Sequence, residues 1–194
     1  MRQANIHRDT KETQIQLAFG LDGTPRYQIE TGVGFFDHML TLFAVHGLFD
    51  LSIKAKGDLH IDAHHTVEDV GICLGQAFRQ ALGDAVGIKR YASCIVPMDE
   101  VLVQVAIDLS NRPHLSFNAA IPKVKIGDFD SELAEEFFKA FVSHARITLH
   151  MSLLAGDNLH HCIEGCFKAF AICLDEATQI DPRKKGIPSS KGVL

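Results

Sequence analysis

Apolar residues along this chain follow two different periods. At 13–19 they alternate, with Ile15, Leu17 and Phe19 on one side of an extended segment. At 101–109 Val101, Val103, Val105, Ile107 and Leu109 do the same. A period of two is that of a strand with one buried face. Runs near 26–31 and 114–120 predict further strands, and Leu48 to Ala55 and Ile147 to Leu154 predict one more each. Elsewhere apolar positions advance by threes and fours. Val67, Val70, Leu74, Phe78 and Ala81 form one such series, and Ile163, Cys166, Phe170, Leu174 and Ala177 form another. Both predict amphipathic helices. Two more helical segments open at Gly34-Phe35-Phe36-Asp37-His38-Met39-Leu40, ending near Gly47, and at Glu135-Glu136-Phe137-Phe138-Lys139-Ala140.

The two helical series match at an offset of 96 residues, from 64 to 160, and so do the motifs that open them. His64-His65-Thr66-Val67-Glu68 pairs with His160-His161-Cys162-Ile163-Glu164, and each follows a Gly-Asp turn, Gly57-Asp58 or Gly156-Asp157. The chain is therefore a duplication of order β-β-(β)-α-β-α. Strands grouped ahead of helices predict an α+β fold, with sheets covered on one face by helices. No Pro- or Ser-rich linker intervenes, so a single compact domain is expected. It comprises two pseudo-symmetric repeats, about 1–86 and 87–180, and a tail at 181–194.

Composition narrows the function. The chain has 194 residues, 46% hydrophobic and 22% charged, which suits an ordinary globular domain with a full core. A net charge of −5 disfavours nucleic acid as a partner. No window approaches the ~20 apolar residues of a membrane span, and Met1 to Arg8 lacks the apolar core of a secretion signal. The odd set Cys73, Cys94, Cys162, Cys166 and Cys173 argues against a disulfide framework and for a reduced, mostly buried stripe in a cytoplasmic protein.

Eleven histidines are the anomaly, because imidazole suits metal ligation and proton transfer better than packing. His64 and Glu68 are four apart and share a helix face, as do His160 and Glu164. His65 and His161 leave the helix about 100° away from their neighbours, so one ion is unsuited to both members of a pair. Two ions in similar environments are expected, drawing ligands from several elements. Imidazole and carboxylate donors without thiolate suit Mn, Fe, Co, Ni or Zn. The tail Ile187-Pro188-Ser189-Ser190-Lys191-Gly192 is cationic and hydroxyl-rich, which suits an anionic group. Lys168 replaces the apolar Ile72 of the first repeat, which marks a task confined to one half.

Taken together, Phe36-Asp37-His38-Met39-Leu40, His64-His65-Thr66-Val67-Glu68-Asp69, Pro97-Met98-Asp99-Glu100, the second His-His-x-x-Glu motif and Pro188-Ser189-Ser190-Lys191-Gly192 resemble the imidazoleglycerol-phosphate dehydratases of histidine biosynthesis. The motifs span nearly the whole chain. The resemblance implies a duplicated α+β fold like the second domain of ribosomal protein S5. It also implies a homo-24-mer with active sites between subunits, and two Mn²⁺ per subunit. Metal ligands carried over by position are His38, His64, His65, Glu68, His160, His161 and Glu164. Many members have histidine where this chain has Glu136, so either Glu136 or His150 would complete that set. Glu12, His65 and His161 would be catalytic, with Glu12 an acid/base. Arg90, Arg112, Lys168, Ser190 and Lys191 would hold the substrate phosphate. The implied reaction turns imidazole glycerol phosphate into imidazole acetol phosphate and water through a metal-bound imidazolate and a diazafulvene-like intermediate. Two other readings use the same ligands. A two-metal phosphoesterase needs a close pair of ions bridged by Asp or Glu, which the separated His pairs do not favour. A metal-storage protein leaves Glu12, the arginines and the tail without roles.

Overall fold

The structure is a computed structural model and describes residues 2–193. Met1 of the first expected repeat and Leu194 of the expected tail lie outside the described residues. The first half runs β1 (Gln3–Asp9), β2 (Thr13–Gly20), β3 (Tyr27–Glu30), α1 (Gly34–His46), β4 (Asp50–Gly57) and α2 (His64–Leu82). The second runs β5 (Tyr91–Met98), β6 (Val101–Asp108), β7 (His114–Asn118), a small β8–β9 hairpin (Lys125–Ile126, Phe129–Asp130), α3 (Leu133–Ala145), β10 (Thr148–Ala155) and α4 (Leu159–Thr178). The duplication is visible in the sheets, which are ordered β1-β2-β4-β3 and β5-β6-β10-β7. In each, the last-named edge strand is parallel to its neighbour and the other pairings are antiparallel.

Each half has the third strand that the expected order left optional; the runs read from the pattern are β2, β3, β6 and β7, and the strands that no run marked are β1 and β5. Both are edge strands, and Pro97 in β5 is tolerated there because an edge residue need not donate to the ladder. The β8–β9 hairpin was not expected from the pattern. β4 starts at Asp50 rather than Leu48, because Gly47 caps α1 and Leu48 adopts a left-handed φ of 55° before the chain can extend.

Alternation works as expected. Ile15, Leu17, Phe19, Leu51 and Ile53 turn inward from the first sheet, and Val101, Val103, Val105, Leu149 and Met151 from the second. The helices then pack across the duplication. α2 lies on β1 and β2 and against α3 of the other half, while α4 lies on β5 and β6 and against α1. One buried cluster results. Its centre is aromatic, with the Phe43 and Phe170 rings stacked at 5.7 Å and Phe36 edge-on to Phe137 at 5.5 Å. No helix among the described residues is long and apolar enough to cross a membrane.

Two glycines set the α2–α3 distance. A Cβ on Gly71 would meet the Phe137 carbonyl oxygen at 2.9 Å, and one on Gly75 the Phe141 carbonyl oxygen at 2.5 Å. In an open helix Gly→Ala stabilises by about 1 kcal/mol. Here the new methyl strikes backbone, and overpacking costs about 1–3 kcal/mol. Gly75→Ala is therefore expected to lower stability by about 1 kcal/mol or more in urea unfolding, against its helix propensity. A stabilised variant would mean that α3 can retreat at no cost.

Candidate metal and substrate site

α4 begins at Asn158, whose side-chain oxygen accepts from the His161 backbone N–H at 3.3 Å. One turn separates His160 from Glu164, and Nε2 of His160 lies 3.2 Å from Glu164 Oε2. Because α1 packs on α4, His38 arrives at the same oxygen, with its Nε2 3.4 Å away. Asp37 fixes the entry of α1 by accepting from the Thr31 backbone N–H at 2.9 Å and its hydroxyl at 2.5 Å. Lys168, a turn further along α4, donates to the other Glu164 oxygen at 2.7 Å. Glu164 is 8% exposed. Burial alone pushes its carboxyl up, but Lys168 and His38 outweigh it and hold Glu164 below the ordinary glutamate range. The edge of the His160 ring contact with Phe35, at 5.0 Å and 85°, restrains the imidazole further.

The donors of His38, His160 and Glu164 lie within 4.8 Å of one another, as do those of Asp99, Glu100 and His161. Two imidazole nitrogens and a buried carboxylate suit a divalent transition metal, so the first group fits such an ion on its chemistry. Adjacent rings diverge as helix geometry demands. The centroids of His64 and His65 are 6.1 Å apart at 86°, and those of His160 and His161 are 6.1 Å apart at 84°.

In the first half, His65 Nδ1 is 3.0 Å from Asp58 Oδ2, and its Nε2 is 3.9 Å from Glu12 Oε1. Glu12 sits in the β1–β2 turn, half exposed, where its N–H donates to Thr10 Oγ1 at 3.1 Å. The turn is anchored from below. The Thr13 hydroxyl donates to Asp69, a buried carboxylate on α2 that also pairs with Arg8 at 2.9 Å. His64 and Glu68 are half-buried, and Glu136 pairs with Lys139 at 3.4 Å. These three do not form a metal-sized group among the described residues of one chain. His150 is exposed on β10 beside His114, ring centroids 5.4 Å apart.

The expected phosphate residues separate into two places. Arg90 is 9% exposed, forks onto Asp108 at 2.7 and 3.2 Å, and donates to the Pro188 carbonyl at 2.7 Å, which ties the tail down. Arg112 approaches the same aspartate at 3.9 Å with its side chain 69% exposed. Ser190 and Lys191 follow Pro188 and are exposed. Lys168, by contrast, sits with Glu164. The Arg90 N–H donates to the Ala177 carbonyl at 2.9 Å, at the far end of α4 from His160. At about 1.5 Å per residue, the two ends of that helix are about 25 Å apart.

A family model described as imidazoleglycerol-phosphate dehydratase matches residues 31–174. The chain belongs to the imidazoleglycerol-phosphate dehydratase family. Dehydratases from Citrifermentans bemidjiense and Bacillus licheniformis are each 60% identical to it. The first aligns over 193 residues, 100% of this chain and 99% of the relative, and the second over 194 residues, all of both. The crystal structure of the Staphylococcus aureus dehydratase superposes with a TM-score of 0.84 at 43% identity, covering 92% of this chain and 99% of that one. The Pyrococcus furiosus enzyme, solved in complex with (S)-C348, superposes at 0.82 with 36% identity, covering 97% and 100%. The protein is a hydro-lyase of histidine biosynthesis that dehydrates imidazole glycerol phosphate.

Sequence reasoning did not assign Asp58, Asp69, Glu100 or Asp108. Three of them stood in quoted motifs without a role: Asp58 in the repeated Gly-Asp turn, Glu100 after Pro97-Met98-Asp99, and Asp69 at the end of the first-half motif, where the second half has Gly165. Asp69→Asn should loosen the turn that carries Glu12. Losing the charge partner of Arg8 and weakening the Thr13 bond is expected to cost about 1–3 kcal/mol in urea unfolding. Faster amide exchange should appear at residues 10–13 while α4 stays protected. Unchanged exchange at that turn would show that Asp69 does not support it.

Proposed function

We propose that the dehydratase site of this chain is composite, with metal-donor residues from one subunit facing phosphate-binding residues of another. The observation that carries this is the distance along α4. His38, His160 and Glu164 gather at its start, while Arg90, Arg112, Ser190 and Lys191 gather beyond its end. An imidazole, a glycerol chain and a phosphate are far shorter than the helix between them. The metal-donor group of His38, His160 and Glu164 also holds only three residues, fewer than a six-coordinate ion needs. A second chain would complete both deficits, which supports an assembled enzyme; the homo-24-mer itself is what the family resemblance implies.

On this reading two divalent ions, Mn²⁺ by family resemblance, are held per subunit. His38, His160 and Glu164 share in holding one, with the first member of each His pair serving a different ion from the second. His64, His65, Glu68, His161 and Glu136 supply the remaining donors. Glu136 is preferred to His150, which stands apart on the exposed sheet face beside His114. When bound, the ions supply Lewis-acid stabilisation of charge on the substrate ring. The hydroxyl on the carbon next to the ring would take a proton from the Glu12 carboxyl and leave as water, passing through a diazafulvene-like form of the substrate. Loss of the proton from the next carbon gives the enol, which becomes the ketone. Glu12 moves protons at these carbons through its carboxylate oxygens. Arg112, Ser190 and Lys191 bind the phosphate, with Arg90 holding the tail in place through Pro188. Lys168 contributes from the Glu164 side. Five free thiols suit a reducing cytoplasm.

Subunit mixing tests the composite site. Arg112→Ala/Lys191→Ala and His160→Ala should each be nearly inactive alone. Particles assembled from both chains should regain turnover, because some sites receive an intact half from each. Mixed particles with no activity would show that each chain supplies a whole site. Glu12→Gln should lower kcat about 10²–10⁴-fold with metal content unchanged. Stripping the metal should abolish turnover, restore it on adding Mn²⁺, and shift the particle to smaller species in sizing. An intact shell proven free of metal would separate assembly from metal binding.

A further inference from the structure

The second histidine of each pair projects away from the converging groups, and nothing on its own helix fixes its ring. In both halves a carboxylate from outside the helix does so. Asp58 Oδ2 lies 3.0 Å from His65 Nδ1, and the Glu100 oxygens lie 3.1 and 3.2 Å from His161 Nδ1. An ionised carboxylate only accepts hydrogen bonds, so Nδ1 must carry the proton. We infer that Asp58 and Glu100 are positioning residues that lock the Nδ1–H form of His65 and His161 and so present Nε2 of each ring as the metal donor. This rests on the reading of His65 and His161 as ligands.

The two carboxylates do the same task from non-equivalent places. Glu12 and Glu100 correspond in the duplication, since each stands immediately before the second strand of its half. Asp58 and Asp157 also correspond, each following a glycine at the end of its strand, Gly57 as the last residue of β4 and Gly156 just after β10. In the first half the turn aspartate holds the ring, and Glu12 is left 3.9 Å from Nε2. In the second half the hairpin glutamate holds it, and no hydrogen bond or ion pair joins Asp157 to His161. The connecting loops explain the exchange. Residues 58–63 separate Gly57 from His64, long enough for Asp58 to fold back with its Oδ1 buried and without a hydrogen-bond partner. Only 157–159 separate Gly156 from His160, and there Asn158 is committed to capping α4. Because Asp58 restrains His65, the first-half glutamate is free for proton transfer. Its counterpart Glu100 is not.

Mn²⁺ affinity, measured on assembled protein by competition with a chelator, tests this without reference to turnover. Asp58→Ala and Glu100→Ala should each weaken binding of one of the two ions about 10–100-fold, as loss of an outer partner does, with unfolding of the metal-free chain unchanged. Asp58→Asn and Glu100→Gln keep an accepting carbonyl oxygen and should retain more affinity than the alanine variants, a rescue that a packing role would not show. Asp157→Asn should bind as the parent does. Equal losses in Asp99→Asn and Glu100→Gln would overturn the inference, since the acidic group would then be holding the ion itself. Loss of binding in His65→Ala and His161→Ala with none in Asp58→Ala and Glu100→Ala would overturn the inference alone. Unchanged binding in the two histidine variants would remove the ligand reading beneath it.

Discussion

Successive residues on an α-helix leave its axis about 100° apart, and a pair of adjacent histidines cannot escape that angle. His160 turns toward α1 and meets His38 at Glu164, while His161 turns toward the β5–β6 hairpin and meets Glu100. The same divergence sends His65 toward Asp58 and the β1–β2 turn. Each helix start therefore faces two surroundings at once, and a chain that ligates through both members of a pair must be served from two directions. Among the described residues of one chain, three donors gather in each direction at the start of α4. On the composite-site reading, the helix repeat creates the demand for further donors, and a second subunit meets it.

The cross-packing of the duplicated halves makes the first of those directions possible. A chain in which each half kept its own helices together would leave His38 beside α2. Instead α1 lies on α4 and α2 on α3, so the Phe36-Asp37-His38 segment of one half is built into the site of the other. The aromatic centre enforces this. Phe43 stacks on Phe170 and Phe36 meets Phe137, each a contact between halves. Placement of His38 is consequently a property of the whole core, and the close α2–α3 approach at Gly71 and Gly75 fixes the opposite side of the same layer.

Much of this was legible because duplication repeats its own signals. Paired motifs at one offset exposed both helix starts, and alternation exposed β2 and β6. No run marked β1 or β5, because edge strands bury little. In β1 only Ala4 is fully buried, and in β5 no residue is. Arg90 was visible as a residue, but not its burial. That comes from Asp108, across the β5–β6 pairing, and from a tail carbonyl nearly a hundred positions away. Likewise Asp58 and Glu100 belong to turns, where no periodicity announces a task, and their roles depend on where loops of unequal length let a carboxylate reach.

If Glu12 is the acid/base proposed above, that inequality turns a symmetric frame into an asymmetric catalyst. Dehydration needs a carboxylate free to take and give a proton, and a duplicated chain offers two at corresponding turns, Glu12 and Glu100. If both were bound to imidazole nitrogens, neither would be available. If both were free, one of the rings would have no restraint on its tautomer, and its Nε2 would be a donor in only part of the population. The longer connection at 58–63 supplies an additional carboxylate on one side only. With it, both second histidines are held and a single glutamate is released. The half that kept the short connection gained the capping Asn158 and the Glu164–Lys168 pair. On the proposed roles, the two halves divide metal positioning and proton transfer while keeping one topology.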